Sequence, residues 1–144
     1  MKANGCTFEC EAERNADLMR AYHEDIASCD NINLSEVWKR IADMPSARFW
    51  VSEERAAIVV SRMMKGDNLH YMRPTKREMF QEIHSRVMAL LADNPSLSIY
   101  MCCIKVVSMP APKFYMTPLS IRQTIYKIKR AWYKERKQKL RHLF

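Results

Sequence analysis

The chain has 144 residues, enough for one ordinary domain or two very small ones. Only two glycines, against eleven methionines and a 48% hydrophobic content, favour helices over a turn-rich β protein and exclude a glycine-rich phosphate loop. The net charge of +8 is concentrated at one end: residues 120–144 hold nine Lys or Arg against Glu135 alone, while residues 1–119 hold fifteen charges of each sign.

Residues 1–11 read as a flexible N-terminus. A first helix is expected from about Ala12 to Ser28, with Leu18, Tyr22 and Ile26 on one face. Asn33 is a good N-cap for a second helix, "LSEVWKRIADM", which buries Leu34, Val37 or Trp38, and Ile41. The stretch "MPSARFWVS" (44–52) follows: Pro45 ends the helix, Phe49 anchors the turn, and Ser52 starts a third helix of nearly balanced charge, with Ile58, Val59 or Met64 available to a protein partner. Residues 67–74 read as a linker. The fourth helix is expected to start at Thr75, where "TKRE" forms a capping box with Glu78, and to stop before Pro95. Its stripe is Met79, Ile83, Val87 and Leu90 or Leu91. Ser98 caps a fifth helix, "IYMCCIKVVSM", with Ile99, Cys102 or Cys103, and Val106 inward. The stretch "MPAPKFYMT" (109–117) then repeats the earlier joint, with Thr117 as cap and Pro118 at the first helical position. The last helix carries an apolar stripe of Ile121, Ile125, Ile128 and Trp132.

A shift of 65 residues aligns the two joints and extends both ways without a gap. Leu18/Ile83, Tyr22/Val87, Ile41/Val106, Ala56/Ile121 and Val60/Ile125 keep apolar character in register. The expected fold is therefore all-α, with two tandem trihelical units (12–66 and 75–144) related by an internal repeat. A three-helix unit with a capped third helix resembles the helix-turn-helix class of nucleic-acid-binding domains. The resemblance is architectural, and the roughly eight-residue connection between helices two and three is longer than the usual turn of about three to four.

The final helix carries the functional expectation. Arg122, Tyr126, Lys129, Tyr133 and Arg136 form one stripe, and Lys127, Arg130, Lys134, Lys137 and Arg141 form the next. Lysine and arginine neutralise phosphates, and tyrosine stacks on a base or bonds a phosphate. Lys113 joins this set beside the helix start, and Arg48, Arg55 and Arg62 form a weaker counterpart in the first unit. The reading is a non-enzymatic, cytoplasmic nucleic-acid-binding protein without a cofactor, double-stranded DNA preferred, in a regulatory or mobile-DNA accessory role. Two other readings stand beside it: an RNA-binding accessory protein that uses Tyr126 and Tyr133 as a stacking platform, and an adaptor whose basic tail docks on an acidic partner.

Other chemistry finds little support. Cys6, Cys10, His23 and Cys29 are possible zinc ligands; the C-x3-C spacing of the first two is permissible, but His23 and Cys29 follow no standard ligand pattern, and five cysteines with two adjacent make a poor disulfide framework. Metalloprotease, nucleophile-elbow and paired-carboxylate patterns are missing. The longest apolar runs fall short of the ~20 residues that cross a bilayer, and residues 1–17 lack the apolar segment of a signal peptide.

Overall fold

The computed structural model describes the backbone of residues 5–143 and the side chains from residue 10 onward; residues 1–4 of the expected N-terminal segment and residue 144 lie outside it. Six helices follow in order: α1 (Gly5–Ala27), α2 (Leu34–Ala42), α3 (Glu53–Met64), α4 (Pro74–Asp93), α5 (Ile99–Val107) and α6 (Pro118–Leu143). An isolated antiparallel bridge between Ser46 and Ala111 is the one β feature among the described residues. The all-α class is as expected. Helix α1 begins earlier than expected, because "CTFECEAERNAD" is a run in which Glu, Ala and Arg favour helix.

Side-chain caps set most of the helix starts. Asn33 Oδ1 accepts from Ser35 N (3.2 Å), Ser52 Oγ from Arg55 N (3.1 Å), Ser98 Oγ from Met101 N (3.1 Å) and Thr117 Oγ1 from Ser120 N (3.1 Å). The capping box at Thr75 does not form. Pro74, its φ already helical, takes the first position, Arg73 becomes the N-cap without a side-chain bond, and Glu78 pairs with Lys113 instead.

The expected linker is also not a solvated one. Helix α3 ends in a Schellman motif: Gly66 N donates to Met63 O, Asp67 N donates to Arg62 O, and Gly66 takes φ +103. The chain then turns so that Leu69 (φ +58) and Met72 insert into the core. Asp67 Oδ1 holds the turn by accepting from Leu69 N at 2.9 Å.

The helices group differently from their order in the chain. One apolar cluster joins α3, α4 and α5 through Val59, Val60, Phe80, Ile83, Cys102 and Val106, with Phe49 from the joint before α3. The other joins α1, α2 and α6 through Leu18, Tyr22, Val37, Trp38, Ile41, Ile121 and Ile125, with Phe114 from the joint before α6. Units packed from the contiguous segments 12–66 and 75–144 are therefore not what forms. Helices α3 and α6 each pack on the pair of helices from the other half.

The two joints cause this exchange. Pro45 and Pro110 stop the helices before them, and the joints then run antiparallel to each other. Ser46 N donates to Ala111 O (3.0 Å), and Ala111 N donates to Ser46 O (3.1 Å). Phe49 N donates to Val107 O (3.1 Å), which delivers the chain to the far cluster before α3 begins. An arginine braces each joint from outside. Arg20, held by Asp17, reaches Pro45 O at 3.4 Å; Arg86, held by Glu82, reaches Pro110 O at 3.0 Å. Buried Asp17 also accepts from Ala47 N (2.8 Å) and Trp50 Nε1 (3.3 Å), fixing the first joint to α1. On the α1–α2 side, buried Asp25 takes a two-pronged bond from Arg40 at 2.9 and 3.0 Å.

Candidate nucleic-acid interface

Helix α6 outruns α2, one of the two helices it packs on. Its 26 residues span ~39 Å, against ~14 Å for the nine residues of α2, at about 1.5 Å per residue. Ile121 and Ile125 are buried and Ile128 is partly so, which completes the contact with α1 and α2. Trp132, expected to continue the stripe, is 51% exposed because the body has ended by then. Every described residue from Arg130 onward is exposed.

The candidate contact residues divide at this point. Lys127, Arg130, Tyr133, Lys134, Arg136, Lys137 and Arg141 are exposed and have no side-chain partner among the described residues. At 100° per residue, Lys127, Arg130, Lys134, Lys137 and Arg141 fall within about a quarter-turn of one another, while Glu135 lies outside that arc, about 80° beyond Lys127. The result is an unbroken basic face. Trp132, Leu140 and Leu143, 51%, 50% and 76% exposed, form an apolar edge on another side of the same overhang, with Arg136 among them.

The remaining candidates are engaged by the body. Tyr126 meets the Trp38 ring edge-on at 5.7 Å between centroids and lies beneath the Arg122 guanidinium at 5.4 Å. Lys129 lies 4.3 Å from the centroid of the Tyr22 ring and donates to the Tyr22 hydroxyl. Tyr133 alone remains open of the two tyrosines proposed as a stacking platform. Lys113 pairs with Glu78 at 2.6 Å, and that hydrogen-bonded carboxylate raises the ammonium pKa above its ordinary value. Arg48 donates to Phe49 O (3.0 Å) and Val51 O (2.9 Å) and covers the Trp50 ring at 5.3 Å, so it serves the joint. Arg62 is exposed on α3 and remote in sequence from the overhang.

Arg55 belongs to a second basic feature that the sequence reading missed. A cleft of about 660 Å³ lies where α3, α4, α6 and both joints converge. It is lined by Arg14, Arg55, Arg73 and Lys76, by aromatic side chains including Trp50 and Tyr115, and, among the described residues, by no acidic one. Tyr115 adopts φ +56, stacks on Phe49 at 6.0 Å, and has its phenol pushed up to about 12 by burial and by nearby Glu82 and Glu78. The run Arg73-Pro74-Thr75-Lys76 supplies two of the cleft's cations, and it straddles the expected boundary between the linker (67–74) and the fourth helix.

Among the described residues, no group of His, Cys, Asp and Glu is arranged to hold a metal ion, and no helix is long and apolar enough to cross a membrane. The Cys6 side chain lies outside the described residues, and Cys29 sits against Arg40 and Asp25. No protein family, curated protein or solved structure matches this chain.

Proposed function

We propose that this is a non-enzymatic nucleic-acid-binding protein that contacts double-stranded DNA through the projecting half of α6, in a regulatory or mobile-DNA accessory role. The observation that carries the reading is a helical overhang, exposed on all sides from Arg130, with one uninterrupted basic face. Its fourteen described residues extend ~20 Å, and the major groove, about 12 Å wide, admits an α-helix. Phosphate contacts by Lys and Arg release counterions, so five such contacts give log Kobs against log salt a slope of roughly −4 to −5.

We also propose that the architecture arose by duplication of a unit of about 65 residues. Positions 65 apart play matching roles in support of this: Ser46 pairs with Ala111, Phe49 and Phe114 each enter a cluster beside the following helix, and the carbonyls of Pro45 and Pro110 each meet a bracing arginine. On this reading the two halves share a frame, and only the second grew a basic extension.

The adaptor reading has one observation in its favour, the apolar edge of Trp132, Leu140 and Leu143, which suits an acidic amphipathic partner. Fluorescence anisotropy with a labelled 20-base-pair duplex, a single strand and a structured RNA, repeated across salt, separates these uses. The duplex reading expects tightest binding to the duplex and the steep salt slope above. It expects R130E/K134E/K137E to weaken binding by at least ~100-fold, with R55E/R62E doing much less. No binding to any nucleic acid at low salt, or a slope near zero, would sink it.

A further inference from the structure

We propose that the cleft between the two clusters is a separate binding site for a nucleoside phosphate, with the phosphate on Arg14, Arg55, Arg73 and Lys76 and the base against the aromatic and methionine wall. The cleft volume, about 660 Å³, falls within the roughly 300–1,000 Å³ typical of small-ligand sites.

Its charge is uncompensated. Across the folded body, Arg20, Arg40, Arg86 and Lys113 are each matched to a carboxylate at 2.6–2.9 Å. Arg48 and Arg77 bond backbone carbonyls instead, and Arg62 and Lys105 have no carboxylate partner among the described residues; what sets the cleft apart is that four unmatched cations line one cavity. Arg55, Arg73 and Lys76 have no side-chain partner among the described residues, and Arg14 contacts only the Asn15 amide while its buried Nε is unsatisfied. Four cations lining one cleft, with no acidic side chain among the described lining residues, repel one another, and an anion lowers that repulsion. The uncapped start of α4 at Arg73 and Pro74 adds backbone N–H groups of the same polarity.

The rest of the wall argues against a bare inorganic anion as the preferred occupant. Trp50, Tyr115, Met72, Met79 and Met116 present flat and polarizable surface beside the cations. A ligand that joins a dianion to a flat ring matches both parts, and a nucleotide is the common molecule of that kind. Such a nucleotide is either free or the unpaired end of a strand, and the same chemistry serves both.

The inference does not rest on the duplex reading, and the experiment keeps the two apart. Isothermal titration of the full chain at low salt compares AMP, adenosine and inorganic phosphate. AMP is expected to bind at least about tenfold more tightly than either fragment, and R55Q and R73Q, both at exposed positions, to weaken it by about tenfold each. K134E/K137E leaves AMP binding unchanged. A duplex with one unpaired 3′-terminal adenosine is then compared with its blunt form, in the wild type and in R55Q/R73Q. Binding of AMP with no preference for the overhang identifies a free nucleotide as the ligand. An R55Q/R73Q-sensitive preference for the overhang identifies a strand end. The proposal is overturned by three results: neither probe binds, inorganic phosphate binds as well as AMP, or R55Q and R73Q change nothing while circular dichroism reports an intact fold.

Discussion

Replacing Ile125 by alanine tests the exchanged packing directly. The side chain is fully buried in the cluster built by α1, α2 and α6. Three carbons leave the core, about 2.4 kcal/mol at ~0.8 kcal/mol each, and the unfilled cavity brings the expected loss to about 2–5 kcal/mol. Urea unfolding followed by far-ultraviolet circular dichroism measures that loss, but its size alone does not say which helices Ile125 supports. A pair of double-mutant cycles does. Ile125→Ala combined with Ile41→Ala removes two side chains from one cluster, and a coupling of about 0.5–3 kcal/mol is expected. Combined with Val106→Ala, in the other cluster, the losses should add to within about 0.5 kcal/mol. The reverse result, coupling to Val106 and additivity with Ile41, would restore contiguous units and refute the crossing of the joints.

Three further outcomes are expected. Asp17→Ala orphans the Ala47 and Trp50 N–H donors and leaves Arg20 without its buried partner, so denaturant unfolding should show a loss of about 2–4 kcal/mol; Asp17→Asn, which keeps one acceptor, should recover part of it. Burial, with the neighbouring Cys102 second, pushes the Cys103 thiol up to about 11 from an ordinary 9.0, so the folded state holds its proton in a range where the unfolded chain releases it. Stability from this group is full below pH 9 and falls as pH rises through 11, with a slope of at most about 1.4 kcal/mol per unit; urea midpoints from pH 8 to 11 should decline more steeply in the wild type than in Cys103→Ala. Gly66→Ala imposes a side chain on φ +103, and although a Cβ there meets no atom within 4 Å, backbone strain should lower stability by about 1–2 kcal/mol.

Helix positions were legible in the sequence because their signals are local. Asn33, Ser52, Ser98 and Thr117 cap within three residues of themselves, and the Leu18/Tyr22 and Ile121/Ile125 spacings report a buried face whatever covers it. That indifference is why the partners were misassigned. Ile125 is equally apolar whether it meets Ile41 or Val106, and only the Ser46–Ala111 pairing, between residues 65 apart, decides between them. The "TKRE" box failed because two local signals competed and Pro74 won. On α6 the periodicity was right but the length of the supporting surface was not visible, so Trp132 was counted inward. The cleft was hardest to see, since Arg14 comes from α1, Arg55 from α3, and Arg73 and Lys76 from the start of α4, so no single local pattern unites them.

The grouping of helices has a consequence for how the chain is made. Helices α3, α4 and α5 are neighbours in sequence and in space, so their cluster can assemble as soon as they emerge from the ribosome. Helices α1 and α2 emerge before these three yet wait for α6: Ile125 is delivered 84 residues after Ile41, roughly 4–17 s later at about 5–20 residues per second. During that interval Leu18, Val37, Trp38 and Ile41 have no permanent cover, and a nascent chain stalled before α6 presents this surface to chaperones and to other chains. Helix α6 thus closes a cluster whose other two helices were made well before it.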